Sequence, residues 1–250
     1  MTPLLELVGL VKSFGGVTAS DGLSLTVMPG EVHALIGPNG AGKTTAVAQI
    51  AGELRPDAGR ILFDGRDITG LAVHRRALLG LGRSFQITSV LGEFSVLDNV
   101  ALAVQAHAGH SFRLLADARR DRRLRDPARA VLARVGLAAL AGRPAATLAH
   151  GDQRKLELAM ALAGEPRLLL LDEPMAGMAA EDSDRMVDLL RSLKGTVAML
   201  LVEHDMDVVF ALADRVTVLD GGRVLASGAP AEVRGDARVI AAYLGEEAGT

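Results

Sequence analysis

Along the first thirty residues apolar and polar positions alternate, as at Leu23, Leu25 and Val27 with Ser24 and Thr26 between them. A period of two predicts strands with one buried face. Glu31–Ile36 then reads as a buried strand that runs into the Gly-rich turn GPNGAGKTT and a helix reaching about Ala51. Asp64-Gly65, between Ile61–Phe63 and Ile68, is a two-residue hairpin signal. The pattern changes near Arg83–Gln86. From Ser95, whose hydroxyl can cap a helix with Asp98 three residues on, helical segments are predicted to about Ala163. Pro127, Gly136, Pro144 and Gly151 are read as punctuating that stretch.

After Pro166 strands and helices alternate again. Strands are predicted at Arg167–Leu171, Thr196–Val202, Arg215–Leu219 and Arg223–Ala226, the last two joined by Asp220-Gly221-Gly222. Helices are predicted at Ala180–Lys194 and around Val239–Leu244. Such alternation implies an α/β fold with a mainly parallel sheet covered on both faces. The expected organisation is one domain, with a core in residues 1–86 and 164–250 and a helical insertion at 87–163.

Composition narrows the class. Although 49% of the 250 residues are hydrophobic, no run approaches the ~18–20 apolar residues of a membrane helix. The N-terminus has no basic stretch ahead of an apolar core, so no signal peptide is expected. Zero cysteines removes disulfides and thiolate metal sites. A net charge of −3 argues against general nucleic-acid binding. A run of arginines (119, 120, 122, 123, 125 and 129), interrupted by Asp121 and Asp126, reads as a solvated helix face, with contact to phosphate or lipid headgroups as the alternative. His33, His74, His107, His110 and His150 show no metal-ligand spacing. A cytoplasmic globular protein is the expectation.

Two segments carry chemistry. Gly37-Pro38-Asn39-Gly40-Ala41-Gly42-Lys43-Thr44 matches G-x-x-x-x-G-K-[ST] with a strand before and a helix after. Glycines let successive amides turn inward on an anion, and the helix adds its positive end. Lys43 supplies charge at β- and γ-phosphates, Thr44 a hydroxyl for Mg²⁺, and Thr45 a further donor. The second segment is the strand Leu168–Leu171 ending in Asp172-Glu173. Asp172 fits the carboxylate that supports the metal of a nucleotide hydrolase, and Glu173 stands where it could take a proton from an attacking water.

With these residues the chain resembles the ABC ATPase family over essentially its whole length. Five further landmarks fall in the family's order. Phe14 matches the aromatic that stacks on adenine, and Gln86 the glutamine that senses magnesium and faces the membrane subunit. Leu148-Ala149-His150-Gly151-Asp152-Gln153 stands at the signature loop, Pro174–Ala179 at the loop joining the two sites of a dimer, and His204 at the switch histidine. The resemblance implies a P-loop NTPase core with an N-terminal antiparallel β subdomain and an inserted helical subdomain. It implies ATP and Mg²⁺ as ligands, with Thr44, Gln86 and Asp172 around the metal and Lys43, Glu173 and His204 in catalysis. It also implies a dimer in which each nucleotide lies between one subunit's phosphate loop and the other's signature loop, residues 148–152 here. Two transmembrane permeases, and through them a substrate-binding protein, are the expected partners, with the chain peripheral on the inner face of the plasma membrane. A helix of each membrane subunit is expected to dock near Ile87–Glu93.

Within the family the chain is most similar to ATPases of bacterial branched-chain (hydrophobic) amino-acid uptake. Gly82-Arg-Ser-Phe-Gln-Ile, Asp98-Asn-Val, Glu173-Pro-Met-Ala-Gly-Met, Val202-Glu-His-Asp-Met206 and the ending Val239–Gly245 carry that likeness. Urea-uptake and lipopolysaccharide-export ATPases share much of it. A soluble ABC protein acting on nucleic acid and a small-molecule kinase on the same loop are the rivals from other classes. Two positions depart from the family. Ala149 replaces the usual signature serine, and Ala179 stands where the inter-site loop usually has an aspartate or asparagine. A lost hydrogen bond to a charged group costs on the order of 1.5–3 kcal/mol, which leads us to expect an asymmetric heterodimer with a paralogous ATPase.

Overall fold

The computed structural model describes residues 2–84, 90–108 and 121–247. Two sheets organise them. The first is antiparallel, in the order β2-β1-β4-β5, from β1 (Leu5–Phe14), β2 (Val17–Val27), β4 (Ala58–Phe63) and β5 (Arg66–Asp67). The turn between β4 and β5 places Asp64 at φ 52° and Gly65 at φ 74°, the pair of left-handed residues that a tight hairpin needs.

The second sheet runs in the order β10-β9-β3-β8-β7-β6. Its strands are β3 (Val32–Ile36), β6 (Leu81–Arg83), β7 (Leu168–Asp172), β8 (Ala198–Val202), β9 (Arg215–Asp220) and β10 (Arg223–Gly228). All neighbours are parallel except β9 and β10. Every residue of β3, β7 and β8 is buried, as expected of mainly apolar strands covered on both faces, and the polar His33 of β3 and Asp172 of β7 are buried with them. The chain is therefore α/β with an antiparallel β subdomain, in agreement with the sequence reading.

Helix α1 (Lys43–Ala51) lies in the core shared by the two sheets, through Ala46, Val47, Ile50 and Ala51. Its C-terminal end is held by Arg76 of α2 (Val73–Leu78), which is fully buried. The guanidinium donates to the carbonyls of Gln49, Ile50, Thr69 and Leu71 at 2.7–2.9 Å. Carbonyls at a helix end lack intrahelical partners, so this cation replaces the water they would otherwise bind.

Helices α3 (Val96–Ala108), α4 (Arg122–Arg134) and α5 (His150–Leu162) come between β6 and β7, and α6 (Ala180–Leu193) follows β7. Together they cover one face of the second sheet in a single apolar cluster. The cap expected at the start of α3 is present, with Asp98 N donating to Ser95 Oγ at 3.0 Å. One of the expected breaks is not a break. Pro127 lies inside α4, where buried Leu124, Ala128 and Leu132 hold the helix against the missing amide bond. Gly151 stands at the start of α5, as its second residue. Helices α7 (Met206–Leu212), α8 (Pro230–Arg234) and α9 (Ala237–Glu247) complete the chain. Of the arginine run, residues 119 and 120 lie outside the described residues. Arg125 pairs with Asp98 at 2.8 Å and Arg129 with Asp126 at 3.0 Å.

His33, on β3, is buried and shares a 2.7 Å hydrogen bond with Thr217 Oγ1. Burial, helped by the charge of Arg215, holds its pKa down to about 4. In the unfolded chain the ring protonates near its ordinary 6.5, so the unfolded state binds the extra proton between those values and stability rises with pH across that window. A shift of this size corresponds to about 3 kcal/mol. His33→Gln should flatten the loss of stability between pH 6.5 and 4 relative to the wild type, measured as urea unfolding free energy at each pH.

Candidate nucleotide site

The carboxyl ends of β3, β8 and β7 lie side by side, which is where open parallel sheets place their ligands. The loop after β3 is Gly37–Gly42. Gly37 (φ 148°) and Gly42 (φ 99°) adopt backbone that disfavours side chains. A Cβ on either would run into a backbone carbonyl, that of Leu219 for Gly37 and that of Ala19 for Gly42. The β9–β10 hairpin supports the loop from behind, through Gly222 N to Ala41 O at 3.1 Å and Asp21 N to Gly222 O at 2.9 Å. Asn39 and Gly40 stand exposed at its rim and Ala41 is buried beneath it.

Gly42 caps α1, so Lys43, Thr44 and Thr45 form its first turn, with amides that have no partner within the helix. Lys43 Nζ donates to the carbonyls of Gly37 and Pro38 at 2.6 and 2.9 Å, folding the cation back over its own loop. Thr44 is exposed beside it. Concave amides, a helix start and a lysine together form a site for a polyanion.

Asp172 ends β7 at 2% exposure, and its Oδ2 makes no hydrogen bond. Arg83 Nη2 stands 4.0 Å away and also pairs with Glu53. Burial pushes the Asp172 carboxyl above its usual range, against the pull of Arg83. An orphaned, desolvated carboxylate oxygen is the kind of group that a divalent cation satisfies, and Thr44 offers a second oxygen of suitable hardness. The residues present thus fit Mg²⁺. Gln86, the third expected metal contact, lies outside the described residues.

Glu173, the next residue, sits at φ 49°, a left-handed conformation rare for non-glycine residues. Its amide donates to Val202 O at 2.9 Å, which fastens the turn after β7 to the end of β8. His204 follows β8 with its ring 73% exposed and Nδ1 4.0 Å from Glu173 Oε1. Glu173 and His204 therefore come together at the mouth of the site. Next to His204 in the chain is a carboxylate that sequence reasoning passed over, Glu203, buried to 2% exposure. A charged residue directly after the apolar run Ala198–Val202 was its one signal.

Phe14, at the end of β1, is 50% exposed, with Lys12 Nζ 5.6 Å from its ring centroid. An aromatic face left open in this way suits stacking on a flat ring. The segment 148–152 lies at the start of α5. Leu148 is buried, Ala149 is the N-cap without a side-chain bond, and His150 is exposed. Gly151 is buried against Asp182 of α6, whose carboxyl leaves no room for a Cβ. Asp152 pairs with Lys155 at 3.1 Å. Ala179 is likewise an exposed N-cap, of α6. Neither alanine supplies the side-chain oxygen that helix starts favour. Among the described residues no group of three or more His, Asp or Glu side chains is placed to hold a metal by itself, so a cation here would depend on a ligand's oxygens as well.

A glycine nest opening a helix, with a buried carboxylate strand beside it, defines a nucleotide hydrolase of the P-loop class. The model of the ABC transporter family matches residues 20–176, and that of the branched-chain amino acid ATP-binding cassette transporter matches residues 223–249. The chain belongs to the ABC transporter family, as an ATP-binding cassette ATPase. It is 39% identical to the high-affinity branched-chain amino acid transport ATP-binding protein BraF of Pseudomonas aeruginosa, over 98% of each chain. Identity to LivG of Escherichia coli K12, of the same description, is 38% over 98% of each. The lipopolysaccharide export system ATP-binding protein LptB of Acidithiobacillus ferridurans is 35% identical over 99% of each. Among solved structures, the ADP conformation of MJ1267, an ATP-binding cassette of an ABC transporter, superposes with a TM-score of 0.86 at 29% identity, covering 98% of this chain and 100% of that one.

Asp172→Asn keeps the shape and removes the buried charge. Without nucleotide the variant should melt at or above the wild-type temperature, since burial opposes that charge. The rise in melting temperature given by MgADP should shrink to the rise given by ADP with a chelator. A full Mg²⁺-dependent rise in the variant would remove Asp172 from the metal site.

Proposed function

We propose that this chain binds MgATP at the phosphate loop, hydrolyses it as one half of a dimer, and so powers import of branched-chain or other hydrophobic amino acids through two membrane permeases. The observation that carries the reading is that the Gly37–Thr45 nest, after β3, and Asp172 and Glu173, at the end of β7, lie at the same end of one sheet with only β8 between them. Adenine stacks on Phe14. The loop amides and Thr45 hold the phosphates, and Lys43 exchanges its two loop carbonyls for β- and γ-phosphate oxygens. Thr44 and Asp172, with Gln86 as the resemblance implies, would hold Mg²⁺, which would neutralise charge developing on the phosphates.

Glu173 takes a proton from water as the water attacks the γ-phosphorus, and ADP leaves with the bridging oxygen. His204, exposed and 4.0 Å from Glu173, reaches the γ-phosphate from the other side of the same mouth. The partner's nucleotide is met by the start of α5, where uncapped amides and the helix dipole offer a positive end. Hydrolysis removes the shared γ-phosphate and lets the dimer reopen. With Ala149 and Ala179 lacking side-chain oxygens, this loop would grip its nucleotide less tightly, which favours a paralogous partner with a complete signature.

An apolar cavity of about 290 Å³ lies between the core and the helical region, lined by Ala51, Leu81, Ala103, His107, Met160 and Pro166 among others. It suits a helix of a membrane subunit, and Arg83 and Ser84 in its lining precede the expected docking segment 87–93 in the chain. Residues 87–89 of that segment lie outside the described residues. No helix among the described residues is long and apolar enough to cross a membrane, so attachment at the inner face of the membrane would run through this groove. A substrate-binding protein would act on the permeases and not on this chain, and nucleic acid has no part in the cycle. The amino-acid substrate rests on the similarity to BraF and LivG and on the C-terminal match at 223–249.

Glu173→Gln keeps the side chain's size and removes the base. MgATP affinity should stay within about twofold while turnover falls at least a hundredfold, the ordinary range for a lost general base. The ATP-bound dimer should persist on gel filtration. Turnover near wild type would exclude Glu173 from proton transfer.

A further inference from the structure

Glu203 has no part in the cycle just described, yet it hydrogen-bonds to the backbone of both loops that carry the groups that do. Its Oε1 accepts a hydrogen bond from Met175 N at 3.3 Å, and its Oε2 accepts one from His204 N at 3.3 Å. Oε2 also stands 3.8 Å from His204 Nδ1. Met175 lies two residues beyond Glu173, in a turn closed by Ala176 N to Glu173 O at 3.0 Å. One buried carboxylate thus spans the loop after β7 and the loop after β8.

Burial raises the pKa of Glu203, while the amides of Met175 and His204 pull it back. A carboxylate is costly at this depth unless its ligands are kept, so the bridge resists movement of either loop away from the other. A neutral apolar residue after β8 would complete the core without linking the loops.

We propose that Glu203 is a positioning residue that locks the Glu173 turn and His204 into one unit, so that the base and the γ-phosphate contact hold a fixed separation. The proposal rests on the hydrolytic reading of Glu173 and His204. It concerns the geometry of the reacting state and not the grip on nucleotide, because the two hydrogen bonds of the bridge run to the amides of Met175 and His204, in the two catalytic turns.

The test uses the full chain with Glu203→Gln, Glu203→Ala, His204→Ala and the double variant Glu203→Ala with His204→Ala. Glu203→Ala should lower kcat at least about tenfold with KM for MgATP and MgADP affinity within about twofold, as expected when hydrogen bonds to a charged group are lost outside the binding contacts. Glu203→Gln retains one carbonyl acceptor and should recover part of that loss. The double variant should turn over no more slowly than His204→Ala alone, since groups acting as a unit are not additive. Amide exchange measured by NMR supplies a readout independent of turnover. In Glu203→Ala the amides of Met175 and His204 should lose protection together, while those of β7 and β8 keep theirs.

A kcat within twofold of wild type, losses that multiply in the double variant, nucleotide affinity falling in step with kcat, or unchanged exchange at both amides would each overturn the proposal. Failure of the hydrolytic reading would show differently, as wild-type turnover in Glu173→Gln with the exchange result intact.

Discussion

The close approach of two backbone carbonyls to Gly37 and Gly42 is the constraint on which the site depends. Leu219 O and Ala19 O occupy the places where side chains at these positions would project. The loop is thereby pressed between the antiparallel sheet, which supplies Ala19, and the β9–β10 edge of the parallel sheet, which supplies Leu219. Its amides are oriented by the packing of the two sheets and need no ligand to hold their shape. Arg76 fixes the far end of α1 by binding the carbonyls of Gln49 and Ile50, so loop and helix are held at both ends. This is how an electrostatic site is preorganised, with dipoles oriented during folding and not during the reaction.

The carboxylates obey a related logic. Asp172 and Glu203 are both buried at strand ends, and burial raises both. Glu203 recovers part of that cost from two amides. Asp172 keeps an oxygen without a hydrogen bond, so the fold carries an unsatisfied charge where a cation is proposed to bind. Glu173 contributes backbone strain through its positive φ. A buried carboxylate oxygen without a hydrogen bond and a strained turn, side by side at one strand end, mark residues kept for something other than stability.

Much of this was legible in the sequence because the signals are local. The nest is a fixed spacing of glycines before a lysine, β7 shows as the apolar run Leu168–Leu171 ahead of Asp172, and the Asp64-Gly65 and Gly221-Gly222 turns need residues that tolerate positive φ. Short elements escaped for the same reason. α2, β6 and α8 span six residues or fewer, too short for a period to show. α7 had a readable start in Asp205, whose carboxylate accepts from Asp207 N and Val208 N, but its seven residues hold less than two full turns of periodicity. Pro127 misled because tertiary burial of Leu124, Ala128 and Leu132 outweighs a local penalty. Glu203 could not be interpreted without coordinates, since its partners are an amide 28 residues away and the residue beside it.

The most direct measurement of the central claim is a crystal structure of the chain with Mg²⁺ and a non-hydrolysable ATP analogue. The account predicts phosphates lying on the amides of residues 39–45, with Lys43 Nζ moved off the carbonyls of Gly37 and Pro38 onto β- and γ-phosphate oxygens. It also predicts Asp172 Oδ2 directed toward the metal. A nucleotide bound elsewhere, or bound with Lys43 still closed on its own loop, would contradict it.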